Sequence, residues 1–140
     1  MSDLRPGLAL RKNAFVLTVP SSNGYAETLS RLLDSIVGRG LTVFAQFDHA
    51  AAARDVDMDL APETVVVFGS PRAGTPLMKS DPRIGIELPL RIVLWKTDEE
   101  TTIGYNDPRE LANVYDVGGG VPTLDAMAGL LSDLAHAAAA

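Results

Sequence analysis

The sequence predicts an α+β fold: an antiparallel β-sheet of about four to five strands with helices packed on one face. Three observations carry it. Short apolar runs rich in strand formers recur at 15–20, 41–47, 64–68, 90–96 and 101–105. One strongly periodic helical stretch follows the first run, and another closes the chain. The later strands follow one another with no long helix between them, which favours antiparallel neighbours with the helices gathered to one side. A doubly wound nucleotide fold would need strand and helix to alternate, and they do not.

Residues 1–13, with Pro6 and Gly7, show no period and read as a flexible lead-in to a single domain over 14–140. Phe15–Pro20 is a strand that Pro20 ends. Ser21, Ser22 and Asn23 are helix-capping types. Leu29, Leu32, Leu33, Ile36 and Val37 then form one apolar helical stripe, with Gly40 at the C-terminal cap. Leu41–Phe47 reads as a strand, and Asp48, His49 and Ala50–Arg54 as a short helical turn. Asp55–Pro62 is an acidic connection. Thr64–Phe68 is a continuous apolar run, as in a strand covered on at least one face. Gly69–Pro89 is read as a loop, with Leu77 and Met78 on a helical turn within it. Leu90–Lys96 is a strand, Asp98–Glu100 a polar turn, and Thr101–Tyr105 the hairpin partner. Pro108 begins a helix carrying Leu111, Val114 and Tyr115. Gly118–Gly120 break it, and a last helix presents Leu124, Met127, Leu131 and Leu134 before fading into alanines.

The 140 residues are 46% hydrophobic and 21% charged, ordinary for a globular protein, with a net charge of −6. That balance argues against nucleic acid, which calls for a basic patch. The chain has no cysteine, which removes disulfide scaffolds, thiolate catalysis and cysteine-ligated metals. No run is long enough for a signal-peptide core or a spanning helix, so no membrane partner is expected and the compartment is read as cytoplasmic.

Several stretches recur in a telling order: Asp48-His49-Ala50, then Val66-Val67-Phe68-Gly69-Ser70-Pro71, Gly74-Thr75-Pro76-Leu77-Met78, Leu88-Pro89-Leu90, and Gly104-Tyr105-Asn106-Asp107-Pro108. This resembles the bacterial domain-of-unknown-function family 302, from about Phe15 to the C-terminus. The resemblance implies a β-α-β-β-β-β-α-like order, a TBP-like half, and homodimers as partners. It implies no cofactor, activity or catalytic residue. Ser70 stands where the pattern has Asn, and Glu87 where it has Asp; both keep a polar group.

The segment after Phe68 has the glycine spacing of a phosphate loop, Gly69 and Gly74. Thr75 stands in the lysine position and Pro76 in the hydroxyl position, which removes the nucleotide chemistry. The remaining reading is a small-molecule or anion site built from Gly69, Ser70, Arg72, Gly74, Thr75 and Met78, with Lys79 and Arg83 nearby. Against it stands a tight crossover shaped by Gly and Pro. Tyr105 joins that set, since Tyr25, Tyr105 and Tyr115 can line a pocket with hydroxyls as polar handles. Asp48 and His49 are the candidates for general-base catalysis, although neighbours on a strand point to opposite faces, and Asp48 can instead cap the turn. Asp55, Asp57, Asp59 and Glu63 lack the glycine and spacing of a calcium loop, so no metal site is expected. The reading is a dimeric, non-enzymatic module that binds a small molecule or anion at Gly69–Met78. The alternatives are a hydrolase- or isomerase-like enzyme using Asp48 and His49, or a purely structural or protein-interaction role.

Overall fold

A computed structural model, describing residues 16–140, turns the apolar runs into five strands. These are β1 (Val16–Pro20), β2 (Thr42–Asp48), β3 (Glu63–Gly69), β4 (Leu90–Thr97) and β5 (Glu100–Asn106). The lead-in, and the Phe15 assigned to the first strand, lie outside the described residues. The strands stand in the order β1-β5-β4-β3-β2, each antiparallel to its neighbour. The helices are α1 (Tyr25–Gly38), α2 (His49–Asp55), α3 (Pro71–Ser80) and α4 (Val121–Ala139).

Side chains alternate across a strand, so each run offers two faces. Val66 and Phe68, Ile92 and Leu94, and Ile103 point to one face and are fully buried. Leu32 and Ile36 of α1 and Leu131, Leu134, Ala135 and Ala138 of α4 cover them. Each large side chain so buried stabilises the fold by about 1.5–3 kcal/mol. In α1 the buried line runs through Thr28, Leu32 and Ile36, whereas Val37 is exposed. Val37 sits 100° round from Ile36 and falls off the edge of the stripe. Gly40 ends α1 as expected: at φ +75° its N–H donates to the Val37 carbonyl, and that of Leu41 to Ile36.

Three local expectations are corrected. Gly69–Pro89 is no loop but α3 followed by a 3-10 turn over Pro82–Glu87. Pro71 sits in the first turn, where its missing N–H is harmless, and Pro76 forfeits one bond inside the helix. The compensation is a second core, in which Leu77 and Ile84 pack with Val117, Leu124 and Met127. The expected helix after Pro108 is a 3-10 turn, Pro108–Asn113, with Val114 exposed. Asn23 caps a different helix from the one it precedes. Its side-chain amide donates to the carbonyls of Ala138 (3.3 Å) and Ala140 (2.9 Å) at the end of α4.

The other sheet face carries no helix. Val65, Val67, Val93 and Trp95 are half-buried there, and Phe47 is 54% exposed. Trp95 lies over Gly104 on the neighbouring strand, so close that a Cβ at Gly104 would stand 2.8 Å from the indole.

Candidate functional site

β2 has a bulge: Val43 pairs with Phe68 and Ala45 with Val67, leaving Phe44 as the extra residue. Bulges re-aim side chains, and here the Phe44 ring lies beside Gly69 at the far end of β3. Gly69 leads through Ser70 into α3, and the wall of α3 stands opposite Leu88–Leu90. Between them is a cavity of about 390 Å³, closed by Met127 and Leu130 of α4. Gly74 keeps it open, since a Cβ there would already stand 3.3 Å from Leu88.

Of the predicted site residues, Gly69, Ser70, Gly74, Thr75 and Met78 line this cavity, while Arg72 does not. The lining is otherwise aliphatic and aromatic, and among the described residues Ser70 and Thr75 bring its only side-chain hydroxyls. Ser70 is the N-cap residue of α3 but makes no side-chain cap bond. The N–H groups of Ala73 and Gly74 donate to the Ser70 carbonyl, and Pro71 and Pro76 have none to offer. Arg72 and Lys79 stand exposed on α3.

Asp48 and His49 lie at the other end of β2, Asp48 about 13 Å along the strand from Phe44. Asp48 is the N-cap of α2, its carboxylate accepting from the Ala51 N–H at 2.9 Å, and His49 is exposed. Neither lines the cavity. Tyr25 donates to Thr64 at 2.6 Å and Tyr115 to Glu87 at 2.7 Å. Tyr105 lies away from α3, on a different cavity.

A repeated triplet, Asp81-Pro82-Arg83 and Asp107-Pro108-Arg109, escaped the sequence reading although its capping chemistry is legible. Each Asp caps a 3-10 turn and grips the guanidinium two residues on, at 2.8 Å and 2.7 Å respectively. Asp81 is buried and also accepts from the Asp116 N–H, at 3.1 Å. The Arg83 hydrogen bonds hold its carboxyl well below the usual range against desolvation, and Arg109 does the same for Asp107. Arg83 lies 5.9 Å over the Tyr115 ring, and the Glu87 bond raises the Tyr115 phenol above its ordinary range. The first triplet thus ties the Pro82–Glu87 turn, behind the cavity wall, to the segment leading into α4.

Fold and cavity together define a small α+β protein whose helix-covered sheet holds an apolar pocket at one end. The chain belongs to the family described as "Domain of unknown function DUF302", which matches residues 17–137. A crystal structure of an uncharacterized conserved DUF302 protein from Bacillus stearothermophilus is similar, with a TM-score of 0.80 at 22% identity. The match covers 89% of this chain and 98% of that one. The chain is also 32% identical over 114 residues to proteins named fluoride-specific ion channel FluC 1 in Brucella suis and Brucella abortus. The match takes 81% of this chain but only 45% and 42% of theirs, so the chain spans less than half the length of these curated relatives.

Proposed function

We propose that this chain is a non-enzymatic binding module for a small, mainly apolar molecule, held in the cavity between α3, Phe44 and α4. The observation that supports it is a 390 Å³ cavity, within the ordinary size of small-ligand sites, apolar with few polar groups. The Ser70 hydroxyl, spared from capping, is the polar handle. The chemistry favours a neutral ligand over an anion, because among the described residues neither a row of free N–H groups nor a cation lines the cavity. The channel activity in the names of the Brucella proteins is not carried over. The shared stretch is under half of those proteins, and among the described residues no helix is long and apolar enough to cross a membrane.

The test is native mass spectrometry of freshly purified protein, followed by titration with N-phenyl-1-naphthylamine, a neutral fluorescent probe. A co-purified small molecule or micromolar dye binding is expected. Gly74→Leu, which fills the cavity, should abolish dye binding while circular dichroism stays native. Dye binding equal in both proteins, or none in either without a co-purified ligand, would sink the reading.

The module is further read as a homodimer through its helix-free sheet face. Five strands about 4.8 Å apart and roughly 20 Å long give about 500 Å² per copy, or about 1,000 Å² over two, the lower limit for a biological contact. The apolar side chains there support this, since an antiparallel sheet facing water carries polar residues on that side.

A further inference from the structure

Two strands that pair along only part of their length leave an opening. β4 and β5 pair from Thr97↔Glu100 to Val93↔Gly104 and no further. Beyond that point β4 follows β3 to Leu90, and β5 follows β1 to Asn106. The sheet therefore splits between Leu90–Ile92 and Tyr105–Asn106. A cavity of about 410 Å³ fills the split, touching Val65 and Val93 from the helix-free face and Leu90, Tyr105 and Leu131 from the helix side. It is distinct from the cavity beside α3.

Tyr105 marks this opening as a site. It is 8% exposed, and its hydroxyl bonds to no described residue, unlike those of Tyr25 and Tyr115. Among the described residues no side-chain polar atom is both fully enclosed and unpaired. The Tyr105 hydroxyl is therefore not fully enclosed, and Tyr105 is among the residues that line this cavity. A phenol so deeply buried ordinarily finds a partner. At the mouth stand Glu87, Asp107 and Glu110 with Arg91. Arg109 pairs with Asp107 at 2.7 Å and Arg91 approaches Glu87 at 3.9 Å, which leaves Glu110 as the lining carboxylate with no ion pair among the described residues.

We propose that the split between β4 and β5 is a second binding site, which takes a small organic amine with an apolar body. The ammonium sits at the carboxylate-rich mouth and donates to the Tyr105 oxygen, while the body lies on Val93 and Leu111. A carboxylic acid of the same shape would meet the unpaired Glu110, since Arg91 and Arg109 are already held by Glu87 and Asp107.

Phenethylamine and 3-phenylpropionate carry the same ring and opposite charge, and serve as paired probes of the full chain by ¹H–¹⁵N NMR and calorimetry. The amine should shift the amides of Val93, Gly104 and Asn106 and bind more tightly at low salt, and the acid should do neither. Tyr105→Phe, which keeps the shape and loses one hydrogen bond, should weaken amine binding about fivefold. Glu110→Gln, at the rim, should weaken it as well and flatten the salt dependence. No amide shifts at millimolar amine, equal binding of the acid, or unaltered affinity in both variants would overturn the proposal.

Discussion

At the scale of single residues, the contacts that matter most are those that leave no spare room. Gly104 passes under Trp95 with no place for a methyl group, a Cβ falling 2.8 Å from the indole and 3.2 Å from Val93. Gly104→Ala should therefore lower stability by about 1–3 kcal/mol in urea unfolding. Asp81 supplies a pH dependence. Its folded carboxyl is held low, chiefly by Arg83, so the unfolded chain takes up the proton first. The stability it contributes is fully present above the ordinary Asp value of about 3.9 and drains away as pH falls toward the depressed folded value. Asp81→Asn should be less stable than the parent at neutral pH, and the gap should narrow between about pH 5 and pH 2, as urea midpoints would record. Residue type was legible in the sequence where residue partner was not. Ser21 and Asn23 are capping types, yet Asn23 spends its amide on a helix end more than a hundred positions away, which no local pattern encodes.

At the scale of elements, periodic stretches were readable and punctuated ones were not. α1 and α4 announced themselves because their apolar residues recur at helical spacing. α3 hid behind two prolines and a glycine, since a proline inside a helix costs about 3 kcal/mol. Burying Leu77, 1% exposed, returns about 2 kcal/mol, and its neighbours in the second core supply the rest. The alanine-rich end of α4 is equally deceptive. Ala138 and Ala139 are buried, the Ala139 carbonyl accepts from the Ser22 N–H at 2.9 Å, and Asn23 holds the two flanking carbonyls. Deleting Ala138–Ala140 should cost about 2 kcal/mol and depress Tm by roughly 5–10 °C, and Asn23→Ala about half as much, by differential scanning calorimetry.

At the scale of the whole molecule, the fold class and family were legible from strand order and the Gly69–Leu90 phrase, but the site was only half legible. The sequence brings Gly69, Ser70, Gly74, Thr75 and Met78 together because they are neighbours in the chain. It cannot show that Phe44 and Met127 complete the wall, or that Tyr105 looks onto a different cavity, because those relations arise only when the sheet closes. If the helix-free face joins two copies, Phe47→Glu should convert a dimer to a monomer in light scattering, and a wild-type monomer would end that reading. His49→Ala should leave dye binding unchanged, since His49 does not line the cavity. Trp95, the only tryptophan in the chain, stands half-buried on that same helix-free face. The molecule thereby carries its own optical gauge. Its emission should shift to the blue as protein concentration rises and that face is covered, while a guest in the cavity beside α3 leaves the colour unchanged.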